Sequence, residues 1–220
     1  NAGTGTRTFQ FGNTAGATAS NVFSIATSGT TGIVIPTGST DTITLTGYFN
    51  DLNLTGITFT LSNAVTLLYG SLTVPNTGGT LTAGTNALTF VATSGTKTIT
   101  TNGRTLDFPI TINCPAATTQ LAGALTIGST RLVTLTAGTL DLNNFTFTAN
   151  SLSSNNSNTR TLAFGTGNIT VLDSGTVWTT STATNMTVTG TPVVNVSNTG
   201  STAITVNAGS PTETNSFSFN

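Results

Sequence analysis

The sequence predicts an all-β chain, specifically a parallel β-helix or β-solenoid with coils of about 18–22 residues. Three observations lead there. Apolar and polar residues alternate in short runs rich in Thr, Val, Ile and Phe, and Gly, Asn, Ser or Pro ends each run. Charged residues make up only 5% of the chain, while threonine supplies about a quarter of it. Stretches of the sequence also resemble one another at recurring spacings. The competing architecture is a set of β-sandwich repeats.

The strands follow in order from the alternation: "TRTFQFG", "DTITLTG", "GITFTLS", "TKTITT", "LDFPITIN", "TLTAGTLDLNNFTFTA", "GNITVLDSG", "NMTVTGTPVVNVS" and "TAITVNAG". No window carries a 3.6-residue period, so helix is not expected. In the stretch from Thr93 to Asn113, the alternation marks Ile99, Leu106, Phe108, Ile110 and Ile112 as inward. Gly95 and Gly103 mark its corners.

The repeats set the expected coil. "TLTAGTNALTF" from Thr80 recurs as "TLTAGTLDLNNFTF" from Thr134, 54 residues on, or three steps of eighteen. A single step brings "TITTNGRTLDF" into line, so that Leu88 aligns with Leu106 and Leu142, and Phe90 with Phe108. On that step the chain makes ten to twelve coils, a rod of roughly 50 to 60 Å at ~4.8 Å per coil. Longer echoes join "TRTFQFG" to "TRTLAFG" and "NAGTGTRT" to "NAGSPTET". Residues 1–220 are therefore expected to be a single repetitive all-β segment, a fragment of a longer repeat protein.

Composition bears on partners. Five cations against six acids cannot make the basic face that nucleic acid requires. No apolar run approaches the ~18 residues of a spanning helix, and no aromatic girdle marks a transmembrane barrel. Neither nucleic acid nor membrane insertion is expected. With no histidine, a Ser-His-Asp triad cannot be built, and no clustered acid motif suggests calcium. Cys114 is the single cysteine, and it reads as a small buried hydrophobe.

The acids are Asp41, Asp51, Asp107, Asp141, Asp173 and Glu213. On an eighteen-residue coil, Asp107 and Asp141 fall almost two coils apart on one side, ~10 Å from each other, with Asp173 following. This is the only constellation a glycosidase could use. Turn-capping aspartates explain the same residues more simply. Thr-x-Thr pairs such as Thr42/Thr44, Thr58/Thr60, Thr98/Thr100 and Thr187/Thr189 suggest an ice-binding array, but their spacing is ragged. Arg7, Arg104, Arg131 and Arg160 read as solvated turn charges, and Trp178 and Tyr48 as core or coil-cap aromatics. No catalytic, cofactor-binding or metal-ligating residue is assigned, and no cofactor is expected.

The wording of "LYGSLTV", "TSGTKTITTNGRTLDFPITI" and "TLTAGTLDLNNFTFTANSLSSNNSNTRTLAFGTGNITV" resembles the Thr/Gly/Asn-rich repetitive β-solenoid virion proteins of tailed, especially aquatic, bacteriophages. The likeness covers most of Leu68 to Val171. It implies a structural, non-enzymatic virion component such as a tail fibre, appendage or decoration. Implied partners are other virion proteins, further copies of the chain and host surface glycans; the implied location is the virion or extracellular space. A bacterial surface adhesin or extracellular filament subunit is the second reading. An ice-binding protein and a polysaccharide-degrading enzyme come after it.

Overall fold

The fold was described from a computed structural model, which defines residues 6–10, 23–26, 33–34, 42–55, 58–74, 76, 81, 83–172, 174–198, 202–209, 212–213 and 217–220. It is a parallel β-solenoid of about seven turns, without helix among the described residues. This is the architecture the alternation predicts, with about seven turns against the ten to twelve expected. Sixteen strands form one bent sheet and six a second, giving each coil three faces.

The coil from Ile110 illustrates the plan. Ile110–Leu121 lies on the first face as far as Ile112, turns a corner, and continues along the second face from Ala117. Leu125–Ile127 then forms the third face. Leu132 opens the next coil on the first face. A period-2 strand must point alternate side chains inward, and Ile110–Leu121 does so, burying Ile110, Ile112, Cys114, Ala117, Thr119 and Leu121.

Backbone pairing runs along the axis, and inward side chains stack in columns. On the first face Phe49 pairs with Leu68, Leu68 with Phe90, Phe90 with Ile112 and Ile112 with Leu135. All five are buried. On the second face Leu140, Leu162 and Val188 form a column; on the third, Phe147, Ile169 and Val194 do the same. Each such aliphatic or aromatic side chain contributes about 1.5–3 kcal/mol by leaving water.

The register corrects the eighteen-residue step. Leu88 pairs with Ile110, Phe90 with Ile112, and Leu106 with Ile127. Leu88 and Leu106 therefore lie on different faces, and the residues of the central coils repeat at spacings near 22. The spacing widens later, for Arg160 pairs with Met186 and Asn168 with Val193. The echo between "NAGTGTRT" and "NAGSPTET" falls partly outside the described residues.

Turns between faces rely on asparagine as much as glycine. Asn102, Asn143, Asn144 and Asn185 take positive φ, where asparagine is the best-tolerated residue with a side chain. Three of them also tie their coil to the one beneath. The Nδ2 groups of Asn102, Asn143 and Asn185 donate to the carbonyls of Val74, Leu121 and Ser157 at 2.7, 3.1 and 3.0 Å.

Candidate functional site

The corner between the first and second faces changes length from coil to coil, and this creates a cleft. Four residues, 113–116, separate Ile112 from Ala117. In the next coil only two, 136–137, separate Leu135 from Gly138. In the coil after that, where Ser153 stands opposite Thr134, five, 155–159, separate Ser154 from Arg160. A short corner thus lies between two long ones. Gly138 makes the tight turn possible: its φ is +81°, and a Cβ there would sit 1.9 Å from the Cys114 carbonyl oxygen.

Two adjoining hollows, of about 460 and 250 Å³, result. Pro115 and Thr159 line both of them. Asn113 and Ala137 line the larger, with Asn158 and Asn185 on its upper wall. Ala116, Gly138 and Thr139 line the smaller, beside Arg160.

Arg160 departs most from the sequence expectation. Instead of a solvated turn charge, it is 1% exposed. Its Nε donates to Ser154 Oγ at 2.7 Å, and Nη1 donates to the carbonyls of Asn158 and Thr184, both at 2.9 Å. Nη2 donates to the carbonyls of Ser154, at 2.8 Å, and Thr182. Burial lowers its pKa from the usual guanidinium range. The physical reason is the length of the overhanging loops. The overhanging loops turn the carbonyls of Ser154, Asn158, Thr182 and Thr184 toward one point, and a guanidinium carries five donors in one plane to meet them. Nothing in "NTRTLAF" separates this arginine from Arg7 in "GTRTFQF", so the sequence held no signal for it.

The other described charged residues are spread along the rod. Asp107 follows the third-face strand Thr105–Leu106, whereas Asp141 ends the second-face run of Leu132–Asp141. The two do not share a side of the rod, because the coil is not eighteen residues long, and the glycosidase constellation is not formed by them. Asp107 Oδ1 accepts from Arg131 Nε at 2.8 Å. Asp141 Oδ1 accepts from the Asn143 backbone N–H at 2.8 Å, as a turn-capping aspartate should. Its Oδ2 accepts from Gln120 Nε2 at 2.7 Å. Asp51 Oδ1 accepts from the Ser71 backbone N–H. Asp41 and Asp173 lie outside the described residues.

Cys114 is fully buried, 3.7 Å from the Thr119 hydroxyl, and burial pushes its thiol pKa up. Trp178 is a core residue: its Nε1 donates to Thr180 Oγ1 at 3.0 Å, and Phe217 and Phe219 meet its ring edge-on. Tyr48 stacks on the buried Tyr69 at 6.4 Å between ring centroids.

The threonines are better ordered than their spacing suggested. Thr96, Thr118, Thr139, Thr161, Thr187 and Thr212 occupy one continuous column on the second face. Ragged sequence spacing reflects variable corners, while the ladder itself stays in register. The column beside it reads Thr98, Gln120, Asp141, Ala163 and Thr189, so this face does not carry a repeated Thr-x-Thr pair. Thr6/Thr8, Thr42/Thr44 and Thr58/Thr60 do share one register near the start of the chain.

Among the described residues, no group of three His, Cys, Asp or Glu side chains is placed to hold a metal ion. The cleft can therefore offer hydroxyls, amides and small apolar surfaces to whatever enters it. No protein-family model, no curated protein and no solved structure matches the chain.

Proposed function

We propose that the protein is a structural component of a bacteriophage virion: a rigid, non-enzymatic rod in a fibre, appendage or capsid or tail decoration. The observation that carries this reading is the ladder of parallel strands along the rod. Sixteen strands form one sheet along the rod, and successive coils bury aliphatic columns against each other. Such a stack resists bending and proteolysis because the amides of its strands are held by the neighbouring coil. The nearly neutral surface, with Thr columns outward, supports contact with neighbouring virion proteins and with further copies of the chain. The resemblance of Leu68 to Val171 to phage virion proteins supplies the phage context.

Mass spectrometry of purified virions, with antibody labelling under the electron microscope, tests the reading. The chain is expected as a stoichiometric virion component labelled on an outer projection. Recovery from bacterial surface material, with secretion genes as genomic neighbours, would favour the adhesin reading instead. Mass photometry addresses assembly, where a clean monomer of the full-length protein at micromolar concentration would count against self-association.

A further inference from the structure

We propose that the corner cleft around Gly138 binds a neutral, hydroxyl-rich ligand, a short stretch of uncharged oligosaccharide. The inference rests on the cleft alone and stands or falls separately from the virion reading.

The first argument is that the cleft is built into the fold. It exists because a two-residue corner lies between corners of four and five residues, and Gly138 is the residue that allows the short one. Its upper wall is fixed by the five hydrogen bonds of Arg160, which hold the 154–158 and 182–184 segments in place. A volume of about 460 Å³ with a 250 Å³ extension lies within the size range of small-molecule sites.

The second argument is the chemistry of the walls. The exposed Asn113 amide makes no hydrogen bond among the described residues. Asn158 and Asn185 each commit Nδ2 to a carbonyl, of Thr136 and Ser157, which leaves Oδ1 open on both. An amide is at once donor and acceptor, which matches hydroxyl pairs on a sugar. Opposite them, Pro115 and Ala116 present exposed C–H surface for the apolar face of a pyranose.

The third argument concerns charge. Arg160 is the charged residue of the lining, and all five of its N–H donors are already engaged by protein oxygens. An anionic ligand would find no free cationic donor, and an apolar one would strand the open amides. A neutral polyol avoids both penalties.

The experiment is an NMR titration of the ¹⁵N-labelled chain with three probes: maltotriose, chitotriose and an anionic hyaluronan tetrasaccharide. At least one neutral probe is expected to shift amides at 113–114, 116–118, 137–139 and 157–161, unchanged between about 0.05 and 0.5 M salt. Ala116→Trp, which fills the cleft from an exposed position, is expected to weaken that binding at least tenfold. Asn113→Ala, which removes only a free amide, serves as the second variant and is expected to weaken it several-fold. Failure of both neutral probes to shift those amides, preference for the anionic probe, or full binding by both variants would overturn the proposal. None of these outcomes bears on whether the chain is a virion component.

Discussion

Leu88, Ile110, Val133, Leu152 and Trp178 form one inward column on the first face, each no more than 1% exposed. The next rung is Val206, paired with Trp178 in the same ladder and equally apolar, yet it is 37% exposed. Ile204 in the same strand is 40% exposed, and all five residues of Ile204–Ala208 are exposed. The two regions have the same kind of sequence and the same pairing. They differ in that the central rungs are covered on both sides, while Ile204–Ala208 pairs with Gly175–Thr180 alone among the described strands. Burial in a solenoid is a nearest-neighbour property, so stability is distributed by position in the stack rather than by residue type.

Arg160→Met sharpens the comparison most. It should remove about 3 kcal/mol or more from the central coils, because four carbonyls and a hydroxyl lose their donor in a buried corner. Urea denaturation measures this, and Arg160→Lys should restore only part of the loss, since an ammonium cannot present five donors in a plane. Next comes the direct contrast within one column. Leu152→Ala is expected to cost about 2–5 kcal/mol, whereas Val206→Ala should cost less than about 1 kcal/mol, since its side chain already meets water. Equal losses at the two positions would break the nearest-neighbour account.

A smaller effect belongs to the turns. Asn143→Ala loses both the bond to the Leu121 carbonyl and an asparagine in a left-handed position, about 1–2 kcal/mol together. Asn143→Gly should recover the conformational share only, which thermal melts can resolve. The smallest is a pH effect. Burial raises the Cys114 pKa, so the folded state holds the thiol proton more tightly than the unfolded chain does. Its contribution is therefore fully present below the ordinary thiol range, near about 8.5, and declines as pH climbs past it. Tyr69, also raised by burial, extends the decline to higher pH. The Cys114→Ala variant should show a shallower loss above about pH 8.5 in the same denaturation assay.

Much of the fold is legible because its rule is local. Alternation requires only neighbouring residues, and it correctly places Ile99, Leu106, Phe108, Ile110 and Ile112 in the core. Gly95 and Gly103 have the positive φ that corners need. The coil register is harder to read, since it depends on corner length, and residues 136–137 and 155–159 serve as equivalent corners despite their different lengths. Two copies of "TLTAGT" therefore suggest a period that the pairing of Leu88 with Ile110 does not follow. The cleft was illegible for the same reason, because Asn113, Gly138 and Asn158 meet only once the corners are stacked. The burial of Arg160 is not legible because two of the carbonyls that hold it, of Thr184 and Thr182, come from a loop 22 to 24 residues away in sequence.

Native-state hydrogen exchange tests the central claim most directly, because it reads each coil's protection within a single folded molecule. Amides of Ile110–Leu121 and Leu132–Asp141 that pair along the axis should exchange only at the rate of global unfolding. Those of Ile204–Ala208 should exchange orders of magnitude faster at a concentration where the chain is dispersed. Uniform protection from the central coils through Ile204–Ala208 under those conditions would contradict the account.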